Sequence, residues 1–510
     1  MSFTEQDFES IIVKHLVNVS DYELASNADF DKARAIDEAR LFRYIGDTQP
    51  DIIKRLDRKN FLDALDKALS DIGIVKLIHD GFRFNGRLIE LYSPRASEGN
   101  VKTAQLHEKN IFSVARQVHY SQQNPNRSID IVIFLNGIPI ITAELKHSFN
   151  GSSVRDAVNQ YKTSRNSSER IFQPRRALVH FAVSDDEIAM CTDLSQGRFF
   201  PFNKGDSGGS GNPINPRGAK TAYLWEEILT RNMLSNLIEN YIQIVGEAQI
   251  FPRWHQLRAV EKLIALVKQE GVGHRYLIQH SAGSGKSNSI SWLAKQLADI
   301  TIKGKKLFDS VIVVTDRINL DRQLTKTIRN VSHLSSMIAH AETSNALNNL
   351  LDARKSIITT TIQKFPHLVE KLDAGYKDRC FAILIDEAHS SQGGKSAAKM
   401  NQAVGGVIAD KNADVEDKIN AMLEGSRMAK NVSYIAFTAT PKAKTLEMFG
   451  QQMIGADGIT RSMPHDVYSM QQAIEENFIL DVLKNLLGVF GHAEEVGFLR
   501  NIFDGAVTIG

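Results

Sequence analysis

Cysteine is almost absent from this sequence, and the two that occur cannot build a disulfide framework or a zinc finger. Cys191 and Cys380 lie far apart in 510 residues, without the CxxC spacing of zinc sites. The N-terminal segment is polar and acidic, which excludes a secretory signal peptide. Apolar runs are short and end in charge, so no segment is expected to cross a membrane. These absences predict a protein of the reducing cytoplasm.

Net charge is also small, at +2, so bulk electrostatics does not indicate a nucleic-acid-binding protein. A DNA-binding surface would require clustered basic residues. One candidate cluster contains Lys162, Arg165, Arg170, Arg175 and Arg176. Such a run is also typical of a solvated face, and the sequence leaves both interpretations open.

A chain of 510 residues is too long for one hydrophobic core, and its length indicates roughly two to four domains. Gly, Pro, Asn and Ser concentrate in a loop at 201–218, and a helix over 224–242 is predicted to follow. From Gln256 onward, apolar Val and Ile runs alternate with helical segments, which is typical of a buried parallel sheet. We therefore expect one domain over residues 1–240, a second over 241–485, and a tail over 486–510.

Two apolar runs flank Asn136-Gly137, a dipeptide strongly favoured in hairpin turns. Asp130 opens the first run, and Glu144, Leu145 and Lys146 end the second. Residues two apart on a strand share a face, so Glu144 and Lys146 project together while Leu145 points into the core. Asp130 and Glu144 could together hold Mg²⁺, which would activate a water molecule and offset charge on a scissile phosphate. Lys146 would orient that water.

The hairpin turn decides whether this metal site can form. A strict two-residue loop pairs Asp130 with Ala143 and leaves Asp130 and Glu144 on opposite faces. A three-residue loop, or one bulge, pairs Asp130 with Glu144 on one face. We predict the second arrangement. A surface strand with ordinary charges is the alternative, because an Asp followed by Glu-x-Lys is common by chance.

A candidate nucleotide site lies at 280–287, where His-Ser-Ala-Gly-Ser-Gly-Lys-Ser joins a predicted strand to a predicted helix. In a P-loop, glycines let backbone N–H groups and a helix N-terminus face the phosphates. The candidate binding residues of this loop are Gly283, Ser284, Gly285, Lys286 and Ser287. Lys286 would reach the β- and γ-phosphates, and Ser287 would ligate Mg²⁺. The strict pattern has Gly at the position of His280.

A second motif strengthens the prediction of ATP binding. The apolar run FAILI leads into Asp386-Glu387-Ala388-His389, so a strand is expected to end in carboxylates. Asp386 suits a place beside the Mg²⁺, and Glu387 suits a general base that polarises the attacking water. His389 completes the motif and is counted with the nucleotide site. Because the two motifs occur in the expected order, ATP and Mg²⁺ are the predicted cofactors.

Further segments resemble motifs of superfamily 2 helicases. Thr438-Ala439-Thr440-Pro441 resembles the motif that links nucleotide state to nucleic-acid movement. Trp254-His255-Gln256 resembles the adenine-reading Q-motif, with Gln256 as the reader. Thr315-Asp316-Arg317 and Thr359-Thr360-Thr361 resemble segments at strand ends that touch a DNA backbone. Each segment is a weak indication alone, but their shared order is specific.

The order of modules resembles the restriction (R, or HsdR) subunit of type I restriction-modification enzymes over most of the chain. The resemblance rests on these segments: IDIVIFLNGIPIITAELKH, MCTDLSQGRFFPFNKG, PRWHQLRAV, HSAGSGKS, VVTDRINLDRQL, DEAHSSQ, FTATP and YSMQQAIEENFILDVL. It implies an α/β fold in which a PD-(D/E)xK nuclease-like domain precedes a RecA-like P-loop domain with a parallel sheet.

The resemblance also implies a function and its residues. Asp130, Glu144 and Lys146 take the nuclease roles, and Gln160 matches a Gln of the family pattern. Four residues further on, the family has Tyr where this chain has Ser164. Members use ATP to pump double-stranded DNA past methyltransferase (M) and specificity (S) subunits before cutting it. The implied activity is that of a type I site-specific deoxyribonuclease, whose DNA target is read by a different subunit.

The last residues differ from the family pattern. The family continues into a second RecA-like lobe that carries an arginine finger, whereas residues 488–510 do not follow it. We therefore expect a truncated product that binds ATP but turns it over poorly, since an arginine finger can supply orders of magnitude in rate. A remnant that binds ATP and DNA without cutting is one alternative, and a DNA-repair helicase-nuclease is another. A nuclease that directly precedes the motor motifs favours restriction over repair.

Overall fold

The structure is a computed structural model that describes residues 4–96, 100–315, 337–386, 430–455 and 457–480. Two seven-stranded sheets dominate this part of the chain. Some residues singled out above lie outside the described ranges: Asp316, Arg317, Glu387, His389 and the tail 486–510.

The first sheet and its helices come from the N-terminal half. The strands and small hairpins of this half are β1 (Glu23–Ala25), β2 (Phe30–Asp31), β3 (Ile36–Asp37), β4 (Phe82–Phe84), β5 (Arg87–Ile89), β6 (Phe112–His119), β7 (Ser128–Leu135), β8 (Ile138–Leu145), β9 (Val179–Val183), β10 (Ile188–Cys191) and β11 (Phe200–Pro201). The α-helices are α1 (Glu5–Asn18), α2 (Glu38–Thr48), α3 (Pro50–Ile53), α4 (Arg58–Asp71), α5 (Ile74–Asp80), α6 (Val101–Glu108), α7 (Val154–Ser164) and α8 (Arg231–Asn240).

The first sheet is mixed, with strand order β1-β6-β7-β8-β9-β10-β11. Strands β6, β7 and β8 form an antiparallel meander at its centre. Strands β8 and β9 are parallel, so helix α7 is the crossover that connects them. This crossover lays α7 against β8 and thereby brings the residues of α7 close to those at the end of β8.

The second sheet is parallel and comes from the C-terminal half. The strands of this half are β12 (Gln243–Val245), β13 (Ala248–Ile250), β14 (Arg275–His280), β15 (Thr301–Ile302), β16 (Lys305–Lys306), β17 (Ser310–Thr315), β18 (Ile338–His340), β19 (Ile357–Thr361), β20 (Phe381–Asp386), β21 (Val432–Thr438), β22 (Gln451–Ile454), β23 (Thr460–Met463) and β24 (Asp466–Tyr468). The described α-helices are α9 (Trp254–Glu270), α10 (Lys286–Asp299), α11 (Ser344–Asp352), α12 (Phe365–Gly375), α13 (Ala443–Phe449) and α14 (Met470–Glu475).

Every strand pair in the second sheet is parallel, in the order β18-β19-β17-β20-β21-β14-β24. The carboxyl ends of parallel strands meet at one edge, where open α/β sheets bind ligands. Strands β14, β20 and β21 end at His280, Asp386 and Thr438. The α/β class predicted from the Val- and Ile-rich runs is therefore confirmed, with the sequence motifs gathered at one edge.

One predicted helix is broken in the structure. The sequence indicates a continuous helix over 224–242, but the chain forms a π-helical turn at Leu224–Ile228 and begins α8 only at Arg231. Thr230 causes the break, because its backbone is extended and its side chain accepts a hydrogen bond from the backbone N–H of Met233. This is an N-cap, which starts a new helix instead of continuing the previous turn.

Buried apolar residues of the two halves form one continuous cluster, which contains Leu135 of the first sheet as well as Trp254 and Trp292. The Tyr241 and Trp292 rings lie 5.4 Å apart between centroids. In the ranges that the structure describes, no helix combines the length and apolar character needed to cross a membrane.

The turn between β7 and β8 is anchored inside the protein. Leu135 pairs with Ile138 across Asn136-Gly137, and the Asn136 side chain is fully buried. Asn136 accepts a hydrogen bond from the Ile111 N–H at 2.7 Å and donates to the Leu91 carbonyl at 2.9 Å. The turn therefore has a fixed position, from which both strands run toward the far end of the hairpin.

We predict that Gly137→Ala destabilises the protein more than Gly86→Ala. Both glycines occupy Asn-Gly turns with positive φ, +80° and +77°, so both substitutions carry a left-handed backbone penalty of about 1–2 kcal/mol. A Cβ at Gly137 would also lie 2.2 Å from the Asp37 carbonyl oxygen, whereas nothing lies within 4 Å at Gly86. That contact should add roughly 1–3 kcal/mol. Urea unfolding measures both variants, and equal losses would contradict the close approach.

Candidate functional sites

The β7–β8 hairpin contains the bulge on which the metal-site prediction depends. Phe134 pairs with Pro139, but Ile133 pairs with Ile141, so the register shifts by one residue at Ile140. The ladder then continues to the pair Ile131 and Ala143. Carried one residue further, this register sets Asp130 opposite Glu144. The predicted bulge is confirmed, although the loop itself has the two-residue form.

Both carboxylates lie on the same face of the sheet. Leu145, between Glu144 and Lys146, is buried in the opposite core, as the strand alternation predicts. The Asp130 carboxylate accepts hydrogen bonds from the Leu145 N–H at 2.7 Å and from the Gln117 amide at 3.1 Å. Asp130 is therefore held at the end of β8 by the backbone of the residue next to Glu144.

Glu144 is fully buried and receives two charge-stabilising donors. Gln160 donates from its amide nitrogen to Glu144 Oε2 at 2.7 Å, and Arg165 donates from Nε to Glu144 Oε1 at 2.6 Å. The structure thus places Gln160, named from the family resemblance, directly against the carboxylate. Tyr161, one residue later, is buried and its hydroxyl lies 2.7 Å from the Thr142 hydroxyl, which fixes α7 on β8.

Lys146 completes this cluster from the strand end. Its amine donates to the Leu145 carbonyl at 3.0 Å and lies 3.5 Å from a carboxylate oxygen of Glu5. The Lys146 side chain is only 16% exposed, whereas Glu5 is 38% exposed. Because Glu5 is partly exposed and the two charged atoms lie 3.5 Å apart, this ion pair contributes little stability.

The electrostatics of the cluster favour an added cation. Burial raises the pKa of Glu144 to about 7 although the hydrogen bond from Arg165 lowers it, and the neighbouring Asp130 charge raises it further. Two carboxylates of this kind are the oxygen ligands that Mg²⁺ prefers, and Mg²⁺ commonly takes one or two carboxylates and keeps its waters. No group of three or more His, Cys, Asp and Glu side chains suited to a metal occurs in the described part of the chain. Two carboxylates with waters in the remaining positions fit the coordination that Mg²⁺ commonly has in proteins.

The basic cluster considered as a DNA surface is divided among other tasks. Arg165 pairs with Glu144, while Arg170 and Arg176 both pair with Asp66. Arg176 is almost fully buried. Three of the five basic residues therefore form ion pairs with carboxylates of the protein. The run is neither one continuous DNA-binding face nor an ordinary solvated segment.

The loop at 281–285 has the backbone of a phosphate cradle. Gly283 and Gly285 have positive φ, +74° and +78°, and α10 begins at Lys286. The positive φ of Gly285 would strain any other residue there, and a Cβ would lie 2.4 Å from the Gln256 amide nitrogen and displace it. The Lys286 amine donates to the His280 carbonyl at 3.3 Å, which holds it beneath the loop.

Gln256 supports this loop directly. Its amide nitrogen donates to the carbonyls of Ser284 and Gly285 at 3.0 and 3.1 Å, and its Oε1 accepts the Arg253 N–H at 3.0 Å. His255 Nε2 also lies 2.9 Å from the Ser284 carbonyl. The structure therefore places Gln256 against the candidate nucleotide loop, although its expected contact with adenine stays a prediction.

His280, the departure from the strict P-loop pattern, is tied into a buried ion pair. Its Nε2 lies 2.9 Å from Asp466 Oδ1, and Arg258 donates to the same carboxylate at 2.7 and 2.9 Å. Burial opposes ionisation of Asp466, yet the hydrogen bonds from His280 and Arg258 hold its pKa below the ordinary value. Burial lowers the pKa of His280, although its hydrogen bond with Asp466 and the charge of Asp466 raise it. The network links α9, β14 and β24 beneath the loop.

The remaining motif residues lie at the same edge of the second sheet. Asp386 is the last residue of β20 and is buried. Thr315, Thr361 and Thr438 end β17, β19 and β21. Ser287 lies in the first turn of α10. The described motif residues are thus collected along one strand edge.

Sequence reasoning missed three residues that shape these sites. Arg165 was taken only as one member of a basic run, although its place five residues after Gln160 could have suggested the same helix end. Arg258 lies one helical turn beyond His255 and carried no separate signal. Asp466 is 186 residues from His280, so no local pattern could have paired them.

We predict that Asp466→Asn lowers the free energy of unfolding by roughly 2–4 kcal/mol. The substitution leaves the Arg258 charge without its partner, which is strongly destabilising for a buried ion pair. The expected loss of stability is somewhat smaller than for a fully buried pair because Arg258 is partly exposed. Asp457→Asn is the matched control, since Asp457 pairs with exposed Arg461 and its loss should leave the unfolding midpoint unchanged. Guanidinium unfolding followed by tryptophan fluorescence measures both. An Asp466→Asn midpoint equal to that of the control would refute a structural role for the network.

Two family models match the chain. One, described as the type I restriction enzyme R protein N terminus, matches residues 2–206. The other, described as a SWI2/SNF2 ATPase, matches residues 255–486. Together they cover both sheets, so the comparisons follow the same order of modules as the structure.

Curated relatives and solved structures are also similar to this chain. The type I restriction enzyme HindI endonuclease subunit of Haemophilus influenzae is 26% identical over 71% of this chain and 33% of its own length. The SauMSSORF170P endonuclease subunit of Staphylococcus aureus MSSA476 is 26% identical over 66% of this chain and 32% of its own length. The UvsW helicase of bacteriophage T4 is 16% identical over 44% of this chain and 67% of that structure, with a TM-score of 0.27.

The chain spans about a third of the length of the curated relatives that it matches. Its first 206 residues match the R-protein N terminus, an ATPase region follows, and both relatives are endonuclease subunits of type I restriction enzymes. Over these two regions the chain is similar to the R (HsdR) subunits of type I restriction enzymes.

Proposed function

We propose that this chain supplies the nuclease and an ATP-binding motor lobe of a type I site-specific deoxyribonuclease. In this proposal, residues 1–240 form the nuclease domain, residues 241–485 form the motor lobe, and movement along double-stranded DNA is coupled to Mg²⁺-dependent cleavage. One observation carries the proposal: the bulged hairpin sets Asp130 opposite Glu144, with Lys146 beside them.

In the nuclease, Asp130 and Glu144 would hold the divalent ion. When bound, Mg²⁺ activates a water molecule and neutralises charge on the scissile phosphate. The chain's own residues hold the two carboxylates in place and orient the substrate. Gln160 holds Glu144 through Oε2, and the Leu145 N–H holds Asp130. Lys146 would exchange its contact with Glu5 for one with the phosphate or the attacking water.

In the motor lobe, the loop N–H groups and the N-terminus of α10 would face the triphosphate. Lys286 lies beneath the loop and would turn from the His280 carbonyl to the β- and γ-phosphates. Ser287 and Asp386 would hold the accompanying Mg²⁺. Glu387 as general base and His389 as a further nucleotide-site residue are proposed from the motif alone.

The proposed partners follow from the family. Both relatives named above are endonuclease subunits of type I restriction enzymes, so we propose that the chain assembles with methyltransferase (M) and specificity (S) subunits on double-stranded DNA in the cytoplasm. Arg155 and Lys162 are exposed on α7, the helix that carries Gln160. They are available for phosphate contacts, which would supply non-specific affinity for the DNA backbone.

We predict that Lys146→Ala slows Mg²⁺-dependent nicking of supercoiled plasmid by about 10²–10³-fold, because a positioned charge that stabilises the transition state is worth this much. Lys54→Ala is the matched control, since Lys54 is 73% exposed and its ion pair within the described ranges is with exposed Asp51. The assay uses the purified chain, with and without reconstituted partner subunits, and EDTA as the metal-free reference. Nicking by Lys146→Ala at the rate of the control would exclude this nuclease site.

We predict that Lys286→Ala weakens ATP binding by roughly 10–100-fold, because a hydrogen bond from a charged group contributes about 1.5–3 kcal/mol. Lys268→Ala serves as control because Lys268 lies exposed in the last turn of α9. Isothermal titration with a non-hydrolysable ATP analogue and Mg²⁺ gives both dissociation constants. Unchanged binding by Lys286→Ala would place the nucleotide elsewhere.

A further inference from the structure

Arg165 lies at the junction of three chain segments in the nuclease half. It is the C-cap residue of α7, and its side chain is only 6% exposed. Nε donates to Glu144 Oε1 at 2.6 Å, and one terminal nitrogen donates to the Ser128 carbonyl at 2.7 Å. The guanidinium also lies 5.5 Å from the Tyr120 ring centroid. So many fixed contacts hold the guanidinium in one orientation.

These contacts span the open end of the hairpin. Ser128 is the first residue of β7, and Glu144 is the penultimate residue of β8. The last recorded backbone pair between these strands is Ile131 with Ala143, so Asp130 and Glu144 lie just beyond the paired ladder. Pairing with β6 and β9 holds the two strands from their outer sides. Two contacts join the strands directly at this end: the hydrogen bond from the Leu145 N–H to the Asp130 carboxylate, and the Arg165 bridge, which also reaches α7.

The bridge leaves acceptor capacity on the Glu144 carboxylate. Each carboxylate oxygen can accept about two hydrogen bonds or ligands. Glu144 uses Oε1 for Arg165 and Oε2 for Gln160, so each oxygen retains capacity. Carboxylates that ligate metals are commonly held by such hydrogen bonds from behind, and loss of these partners typically costs about 10–100-fold in metal affinity or activity.

Charge balance supports the same role. Asp130 and Glu144 lie close enough for each charge to affect the other, and Glu144 is fully buried. A buried charge that loses its partner becomes strongly unfavourable. The guanidinium keeps one positive charge fixed against Glu144, while the pair of Lys146 with partly exposed Glu5 contributes little stability.

We propose that Arg165 is a positioning residue of the nuclease site: by bridging Ser128 and Glu144, it fixes the separation of the Asp130 and Glu144 carboxylates and so sets their affinity for a divalent ion. The inference rests on the proposed nuclease function. It differs from a DNA-contact role, because the guanidinium is buried and its donors are directed at the protein.

The test measures Mn²⁺ binding to the full chain without nucleotide or DNA, by electron paramagnetic resonance of free Mn²⁺. Glu144→Gln defines the binding that belongs to this site. Arg165→Met should raise the dissociation constant by about 10–100-fold, and Arg165→Lys should give an intermediate value, since it keeps the charge but cannot bridge both strands. Arg83→Met, at an exposed arginine of β4, is the matched control and should bind Mn²⁺ as the unaltered chain does.

A second readout separates positioning from general loss of structure. For Arg165→Lys, the Mn²⁺ concentration that gives half-maximal nicking should rise, while the rate at saturating Mn²⁺ stays within a few fold of the unaltered chain. A purely structural role would lower the rate at every Mn²⁺ concentration. Should Arg165→Met fail to fold, Arg165→Lys carries the test.

The two proposals fail in different ways. If the unaltered chain and the Glu144→Gln variant bind Mn²⁺ equally, the nuclease assignment itself is overturned. Glu144-dependent binding that is equally tight, or tighter, in both Arg165 variants would overturn only the role of Arg165 and leave the nuclease assignment in place.

Discussion

The register of one β-hairpin determines whether the proposed nuclease site can exist. The turn at Asn136-Gly137 is anchored by buried hydrogen bonds, and the bulge at Ile140 then shifts the register by one residue. Without that shift, Asp130 and Glu144 would face opposite sides of the sheet. With it, both carboxylates lie on the same face of the sheet, where Gln160 and Arg165 donate to Glu144.

The nucleotide side follows a comparable principle, in which buried polar contacts fix a flexible backbone. The glycines of the loop allow its conformation, but the loop is held by side chains of α9 and by the ion pair of Arg258 with Asp466. His280 at the loop's start joins this ion pair. A histidine therefore replaces the usual glycine without distorting the cradle, because its ring is directed away from the loop into β24.

Much of this arrangement could be predicted from the sequence, because the deciding signals are local. The Asn-Gly turn, the strand alternation around Leu145 and the apolar runs before His280 and Asp386 each depend on neighbouring residues. The requirement for a bulge also followed from counting residues between Asp130 and Glu144. The break at Thr230 was missed because its capping hydrogen bond competes with an otherwise continuous helical pattern.

The remaining features depend on contacts that no local pattern contains. From the sequence, Arg165 looks like a surface charge, because its contact with Glu144 forms only when α7 packs on β8. Asp466 contacts His280 only because β24 pairs with β14. The basic run at 162–176 was ambiguous for the same reason, since its partner Asp66 lies on α4. The partners of these charged residues are determined by tertiary contacts, which the local sequence does not encode.

The most direct test of the account is anomalous diffraction from crystals of this chain soaked in Mn²⁺ without nucleotide. The account predicts one strong anomalous peak between the Asp130 and Glu144 carboxylates, with oxygen distances near the roughly 2.1 Å of Mg²⁺ sites. Full occupancy elsewhere in the protein, with no peak between these two carboxylates, would contradict it.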